Sequence, residues 1–553
     1  GHSSAGHIPV DFLREFRAPE RRFSVAAFWF WNGELKSQRL LWQMDQMAEK
    51  GVYNAFMHAR AYLVTPYLGE KWFSVVGDCV RHAKEIGFYP WLYDEYAWPS
   101  GTAGSTFECC DQAPSRVLAK GERNMAKGLD VWQKELVGPV RLDVAQACGR
   151  EPLAVYIVRG ESVERVSGTV LSLEAGDAAR AMAFFLRVYE KAVDYLNPQT
   201  IRDFLDSTHE QYKARFGADF GTVIPGVFFD EIYMAAHPLP WTEALPAQFF
   251  AWRGYDLLDV LPLLMLGEGG AARKVRVDYY TTLARMYEEA FFQQISQWCA
   301  ENHLQMTGHT EEELAGHPTR QGDYFATMRH LQIPGADCHD YRYRLPREIT
   351  LHEPKYAVSV ARAYGKPRAM SEAMGGAGWG CSLQEYKRGL ITLGAMGIGM
   401  FVLHGFYNEC EHQGSQADWP ASFFYQNPYW KYFGQFSALA NRISFINSTG
   451  RAVVDVGLYY PIREYEAHVV AGRGDAEGLA LCRRFDEALN ALLNRQMDTD
   501  MVDADSLARA EVRAGRLCVG TQALRALVFP AGAHLAEDLV EKLAVSQAQG
   551  GVV

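Results

Sequence analysis

Gly226-Val227-Phe228-Phe229-Asp230-Glu231 is a short apolar run closed by two carboxylates. A run of this length, bounded by polar residues, reads as a buried strand. Carboxylates at its mouth cost desolvation unless a partner or a ligand uses them. Pro367-Arg368-Ala369-Met370-Ser371-Glu372 has the same form. Two strand-end carboxylates far apart in sequence are what glycosidic bond cleavage requires, one as acid and one as base or nucleophile. Salt bridges at a barrel rim would leave the same trace, so the rest of the chain has to decide.

Outward from these two stretches, strand-like runs alternate with helical ones. Residues 25–31 end in Asn32-Gly33, residues 52–57 in His58-Ala59-Arg60, and residues 88–93 in Asp94-Glu95. Helical stretches at 37–50 and 72–86 separate them, the second stopped by Gly87. The fourth run, 223–229, is the one quoted first. Residues 279–303 carry Leu283, Met286, Tyr287, Ala290, Phe291, Ile295 and Trp298 at helical spacing. Residues 304–307 then end in Gly308-His309-Thr310-Glu311-Glu312, and residues 333–336 in Asp337-Cys338-His339-Asp340. The seventh run ends at Glu372, and the eighth, 399–403, in His404 to Glu409. Repeated strand-then-helix units with polar strand ends predict an α/β fold, a (β/α)8 TIM barrel over residues 22–445.

The alternation breaks at about 104–176, where short runs such as 153–158 and 167–173 predict a β-rich insertion after the third strand. Helices are expected from 189 to 216. Residues 1–21 read as a tag remnant and a lead-in. Residues 446–553 read as a separate α/β domain with a parallel sheet, from strands at 454–460, 498–503, 516–519 and 526–529 and a helix at 476–493. A new strand starts at Gly551-Val552-Val553, so this domain is expected to be shortened.

Bulk properties narrow the partners. At 553 residues the chain is long enough for several domains, and 48% apolar with 22% charged residues is a globular composition. Aromatic residues at 13% suit sugar platforms and large cores equally. The net charge of −11 comes without a basic block, which argues against nucleic acid. No stretch is long and apolar enough to span a membrane. Ten cysteines without a CxxC pair or zinc spacing predict reduced thiols and a cytoplasmic protein. The tag-like start leaves a periplasmic or secreted origin open, and a homo-oligomer is compatible with all of this.

Strand ends of a barrel converge on one face, so they make the candidate site. Those expected to bind substrate are Asn32, His58, Arg60, Asp94, Glu95, Asp230, His309, Asp337, His339, His404 and Asn408. Glu231, after an apolar strand and beside Asp230, suits an acid whose pKa is raised. Glu372 suits a base or nucleophile across the mouth. Gly375, Gly376 and Gly378 let backbone approach a ligand, and Trp379 reads as a platform or as packing under a loop. Glu311-Glu312-Glu313 follow Thr310, a reasonable helix N-cap. His309 and Glu312 are also spaced to share a metal, and oxygen-rich ligands would favour calcium over zinc. A phosphate loop, a dinucleotide fingerprint and a GxSxG elbow are all missing from the sequence.

Phe28-Trp29-Phe30-Trp31-Asn32-Gly33, His58-Ala59-Arg60, and Trp91 to Glu95 with Trp98-Pro99-Ser100-Gly101 resemble glycoside hydrolase family 106, the α-L-rhamnosidases. Phe228 to Glu231, Thr307-Gly308-His309, Pro334 to Asp337, and Ser371-Glu372 with Gly378-Trp379 continue the resemblance in the same order, over roughly residues 22–445. It implies an inverting, exo-acting barrel hydrolase with calcium in the sugar site. Glu231 would then be the acid, with Glu372 or Glu312 activating water. It further implies that the trailing domain is glutamine-amidotransferase-like without an evident catalytic cysteine. Asp230-Glu231-Ile232 departs from the family's usual Asp-Glu-Pro. A retaining, β-galactosidase-like specificity and a non-catalytic carbohydrate-binding protein are the alternatives.

Overall fold

The computed structural model describes residues 10–107, 110, 113–235, 239–267, 269–312, 314–338, 352–472, 476–533 and 537–553. Eight strands line one barrel: β1 (Ala26–Gly33), β2 (Asn54–Leu63), β3 (Tyr89–Tyr96), β4 (Gly226–Phe229), β5 (Gln305–Gly308), β6 (Gly335–Cys338), β7 (Met370–Ala373) and β8 (Met400–Tyr407). Their order is β5-β4-β3-β2-β1-β8-β7-β6, with every neighbouring pair parallel. The ring is nearly closed. β5 and β6 lie side by side without a ladder, joined where the Ile333 N–H donates to the Met306 carbonyl (3.2 Å) and Thr307 Oγ1 to the Ile333 carbonyl (2.9 Å). The two backbones are so close there that a Cβ on Gly335 would sit 2.2 Å from the Gly308 carbonyl.

Both faces of each strand are buried, which is why the runs are continuously apolar rather than alternating. Phe28, Phe30, Phe56, Trp91, Tyr93, Phe228, Met370 and Val402 fill the barrel. Their sequence neighbours Trp29, Trp31, Met57, Leu92, Val227 and Phe229 face the surrounding helices. Helix Glu70–Ile86 ends on Gly87 in the left-handed region (φ +65°). The helix expected over 279–303 is interrupted: helix Gly270–Tyr287 passes through a π-helical turn, Glu288–Gln293, into helix Gln294–Glu301.

An antiparallel sheet follows β3. Strand Met125–Val137 pairs with the long strand Ala178–Val193, which pairs with Ala154–Arg159 and through it with Ser162–Val166. Pro240–Trp241 adds an edge. This sheet reaches Val193, beyond the expected boundary at 176, and residues 189–193 are strand rather than helix. Glu190, Lys191 and Ala192 in that segment suggest a helix locally, but pairing along most of the partner strand outweighs a weak propensity.

After helix Phe433–Thr449, strands Thr499–Val502, Val456–Tyr459 and Ala526–Val528 form a three-stranded parallel sheet. Arg516–Val519 is not part of it. It joins Glu511–Arg513 and Gln522–Leu524 in an antiparallel sheet, because Ala514 (φ +48°) and Gly515 (φ +74°) turn the chain straight back. Lys355, fully buried, pairs with Asp498 (2.7 Å) and Asp500 (3.4 Å) and ties helix His352–Ala363 to the parallel sheet. Among the described residues no helix is long and apolar enough to cross a membrane.

Candidate active site

The carboxyl ends of the strands bring Arg60, Asp230, Glu231, Glu372 and His404 around one cleft, walled by Trp98 and Trp419. At its floor His309 Nε2 lies 2.8 Å from Glu372 Oε2 and 3.3 Å from Asp230 Oδ1. Tyr93 donates its hydroxyl to Asp230 Oδ2 (2.7 Å). Ser100 fixes the backbone of Asp230 from both sides: its N–H donates to the Asp230 carbonyl (2.9 Å), and its Oγ accepts from the Asp230 N–H (2.8 Å). The same Oγ donates to Asp94 Oδ1 (2.6 Å). Glu231, half-buried beside them, has φ +39°, a left-handed conformation that a non-glycine residue holds only where its surroundings impose it.

Charge explains the floor. Burial, and then the charge of Glu372, raises Asp230 above the ordinary carboxylate range. Burial alone would depress His309; the charge and hydrogen bond of Glu372, with Asp337 and Asp230, outweigh it and raise the imidazole well above its ordinary value. The acids around it therefore favour the imidazolium form of His309. Burial raises Asp94, opposed by its bond from Ser100. Asp94 Oδ2 is buried without a hydrogen-bond partner.

Several expected ligand contacts have other work. Both oxygens of Glu95 accept backbone N–H groups: Tyr96 (2.9 Å) and Gly104 (2.8 Å) on Oε1, Thr102 (2.6 Å) and Ala103 (3.0 Å) on Oε2. Fully buried, Glu95 shapes the loop that presents Trp98 and Ser100, and does not face the cleft. Arg60 makes a two-pronged pair with Asp418 (2.7 and 2.8 Å) and stacks on Trp98 and Phe30. Asn32 and Asn408 interlock: Asn32 Nδ2 donates to the Glu409 carbonyl (3.0 Å), and Asn408 Nδ2 to the Asn32 carbonyl (2.7 Å). Their amides stitch the end of β1 to the end of β8, and neither residue lines the cleft.

His58 lies beneath the floor, stacked on Tyr93 at 3.6 Å, where burial and then Arg60 push it well below its ordinary value. Glu312 accepts the Asp337 N–H (3.3 Å) and is raised by burial; neither residue lines the cleft. Trp379 is 39% exposed, donates to the Gln416 carbonyl (2.9 Å), and leaves the cleft wall to Trp419. His339 lies outside the described residues. Tyr93, Ser100, Asp418 and Trp419 were not among the residues singled out. Trp98-Pro99-Ser100-Gly101 carried a usable signal, whereas Asp418 and Trp419 follow no strand.

Asp230, His309 and Glu372 offer ligand atoms within 4.8 Å of one another and could hold a metal ion. The surplus negative charge that lifts His309 is what a dication would neutralise. The two carboxylates suit calcium, while the imidazole nitrogen is a poorer partner for it.

A ring of eight parallel strands with acids clustered at their carboxyl ends can house glycosidic bond hydrolysis, and solved structures share the ring. The rhamnosidase from Novosphingobium sp. PP1Y is similar with a TM-score of 0.70 at 14% identity, covering 98% of this chain and 69% of that one. The β-galactosidase from the psychrophilic Marinomonas ef1 gives 0.56 at 11% identity, covering 94% and 74%. That from Bacillus circulans sp. alkalophilus gives 0.54 at 11%, covering 95% and 70%. The family described as alpha-L-rhamnosidase, glycoside hydrolase family 106, matches residues 189–550, and the chain belongs to it. The match takes in β4 to β8 and the trailing sheets, while residues 22–188 lie outside it. No curated protein sequence matches the chain.

Proposed function

We propose that this glycoside hydrolase is exo-acting and removes a terminal α-L-rhamnose with inversion, Glu231 serving as the acid and Glu372 activating the water. The observation that carries this reading is the pairing of Glu231, held in a strained conformation at the cleft, with the Asp230–His309–Glu372 cluster on its floor. Glu231 gives its proton to the leaving oxygen. Glu372, an acceptor from His309, takes a proton from the attacking water, and Glu312 is disfavoured for this task because it does not line the cleft. Asp230, braced by Tyr93 and Ser100, orients sugar hydroxyls. Calcium, held by Asp230 and Glu372, would add charge stabilisation at those hydroxyls.

We read residues 446–553 as glutamine-amidotransferase-like. The parallel sheet supports this, and Cys482 and Cys518 sit within a helix and an antiparallel strand, not at a strand-to-helix elbow where a catalytic cysteine would be. The cytoplasmic reading rests on the cysteine pattern alone.

Nitrophenol release from a panel of aryl glycosides, with EDTA and with added calcium, tests the proposal. The α-L-rhamnoside is the expected substrate, with activity lost on chelation and restored by calcium. Glu231→Gln should lower turnover by about 10²–10⁴-fold with circular dichroism unchanged. Near-wild-type activity in that variant would sink the acid assignment. Cleavage of a β-galactoside with retained configuration would move the specificity to that of the structural neighbours, and sugar binding without turnover would leave a binding protein.

A further inference from the structure

The opposite face of the barrel, where the strands begin, holds a second concavity. A cavity of about 550 Å³ is lined by Arg22, Thr222, His303, Gln305, Arg368 and Thr449, among others. A smaller one of about 270 Å³ shares Arg368 with it and adds Lys366 and Arg451. Neither wall contains an aspartate or glutamate, in a chain whose net charge is −11.

Two of the cations there are paired, Arg22 with Glu20 (2.8 Å) and Arg362 of the smaller cavity with Asp500 (2.6 Å), and the others are poorly compensated. Arg368 donates to the Arg22 carbonyl (3.3 Å), and Arg451 to the Thr521 carbonyl (3.3 Å). Among the described residues no carboxylate pairs with Arg368, Lys366 or Arg451. Burial, and then the charge of Arg22, lowers Arg368 to about 10, and burial lowers Lys366. A cation withdrawn from water beside another cation is unfavourable unless an anion joins it. An arginine fork is matched to carboxylate and phosphate oxygens. The larger cavity lies within the usual range for small-molecule sites, about 300–1,000 Å³.

We propose that this face binds a small acidic ligand of sugar size, its phosphate or carboxylate held by Arg368 and Lys366 and its body by the hydroxyl and amide groups of the larger cavity. The site lies at the opposite end of the barrel from the catalytic cleft and does not depend on which glycoside is cleaved there.

Calorimetric titration of the full chain with inorganic phosphate, a hexose phosphate and glucuronate tests this. One saturable site is expected, and the tighter of the last two probes identifies whether the oxyanion is phosphate or carboxylate. The dissociation constant should rise at least about tenfold in Arg368→Gln, the loss of one charged hydrogen-bonding group. Thr449→Glu, a substitution at an exposed position that places a carboxylate in the cavity, should weaken binding as much. Glu231→Gln should bind as the wild type does. The proposal fails if none of the three probes saturates at tens of millimolar. It also fails if Thr449→Glu or a folded Arg368→Gln binds as tightly as wild type, or if Glu231→Gln abolishes binding and so places the ligand in the catalytic cleft.

Discussion

Ser100 shows how a single small side chain can set the geometry of an acid. Its hydroxyl accepts the Asp230 N–H and donates to Asp94, so Ser100→Ala strands a buried donor and removes the brace on Asp230. An unsatisfied buried group costs about 1–3 kcal/mol, which urea unfolding should report. Turnover should fall while KM changes little, because the loss is in alignment rather than in contact with substrate. Asp230, Glu231, His309 and Glu372 were legible from sequence because each terminates an apolar run. Ser100 and Trp419 were not, since loop residues carry no periodicity and only the folded chain brings them to the cleft. Asn32, Asn408 and Glu95 were legible as strand ends but not in their roles, because their partners are backbone groups or residues distant in sequence.

At the scale of elements, two loops make the mouth. The loop after β3 hangs on Glu95, whose four backbone N–H partners no neutral side chain replaces well. Glu95→Ala should therefore cost about 3 kcal/mol or more, as for other buried charged networks, and should lower activity through Trp98 and Ser100. The loop after β8 is latched by Arg60 and Asp418, whose side chains are 3% and 12% exposed. A double-mutant cycle between Arg60→Ala and Asp418→Ala should show the two changes to be far from additive, with a coupling of about 1–3 kcal/mol in unfolding. Between Trp98 and Trp419 the cleft holds about 70 Å³, so where the Arg60–Asp418 pair places the Trp419 loop bears on how much of a sugar the cleft admits. Asp418→Ala should for that reason shift KM more than kcat. Strand order around the barrel followed from the alternation alone. The insertion's end and the pairing of Arg516–Val519 did not, because antiparallel registers are set by turns and partners rather than by the run itself.

For the whole molecule, acids collect where the barrel meets the trailing sheets. Burial lifts Glu466 to about 7 and Asp503 to about 6, and it also raises Asp323. A carboxylate whose folded pKa lies above its unfolded value binds more protons folded than unfolded between the two, so its contribution to stability falls as pH rises through that window. For Glu466 the window runs from roughly 4.5 to about 7. Glu466→Gln keeps the shape and removes the titration. Its stability relative to wild type should thus improve from pH 5 to pH 8, a difference that thermal unfolding at the two values reads directly. The ring's missing ladder between β5 and β6 has its own consequence. His309 follows one edge strand, and Glu372 sits on the strand just inside the other, so their bond is a clasp across the gap. Whatever alters the charge of either partner therefore bears on the hoop as well as on the cleft.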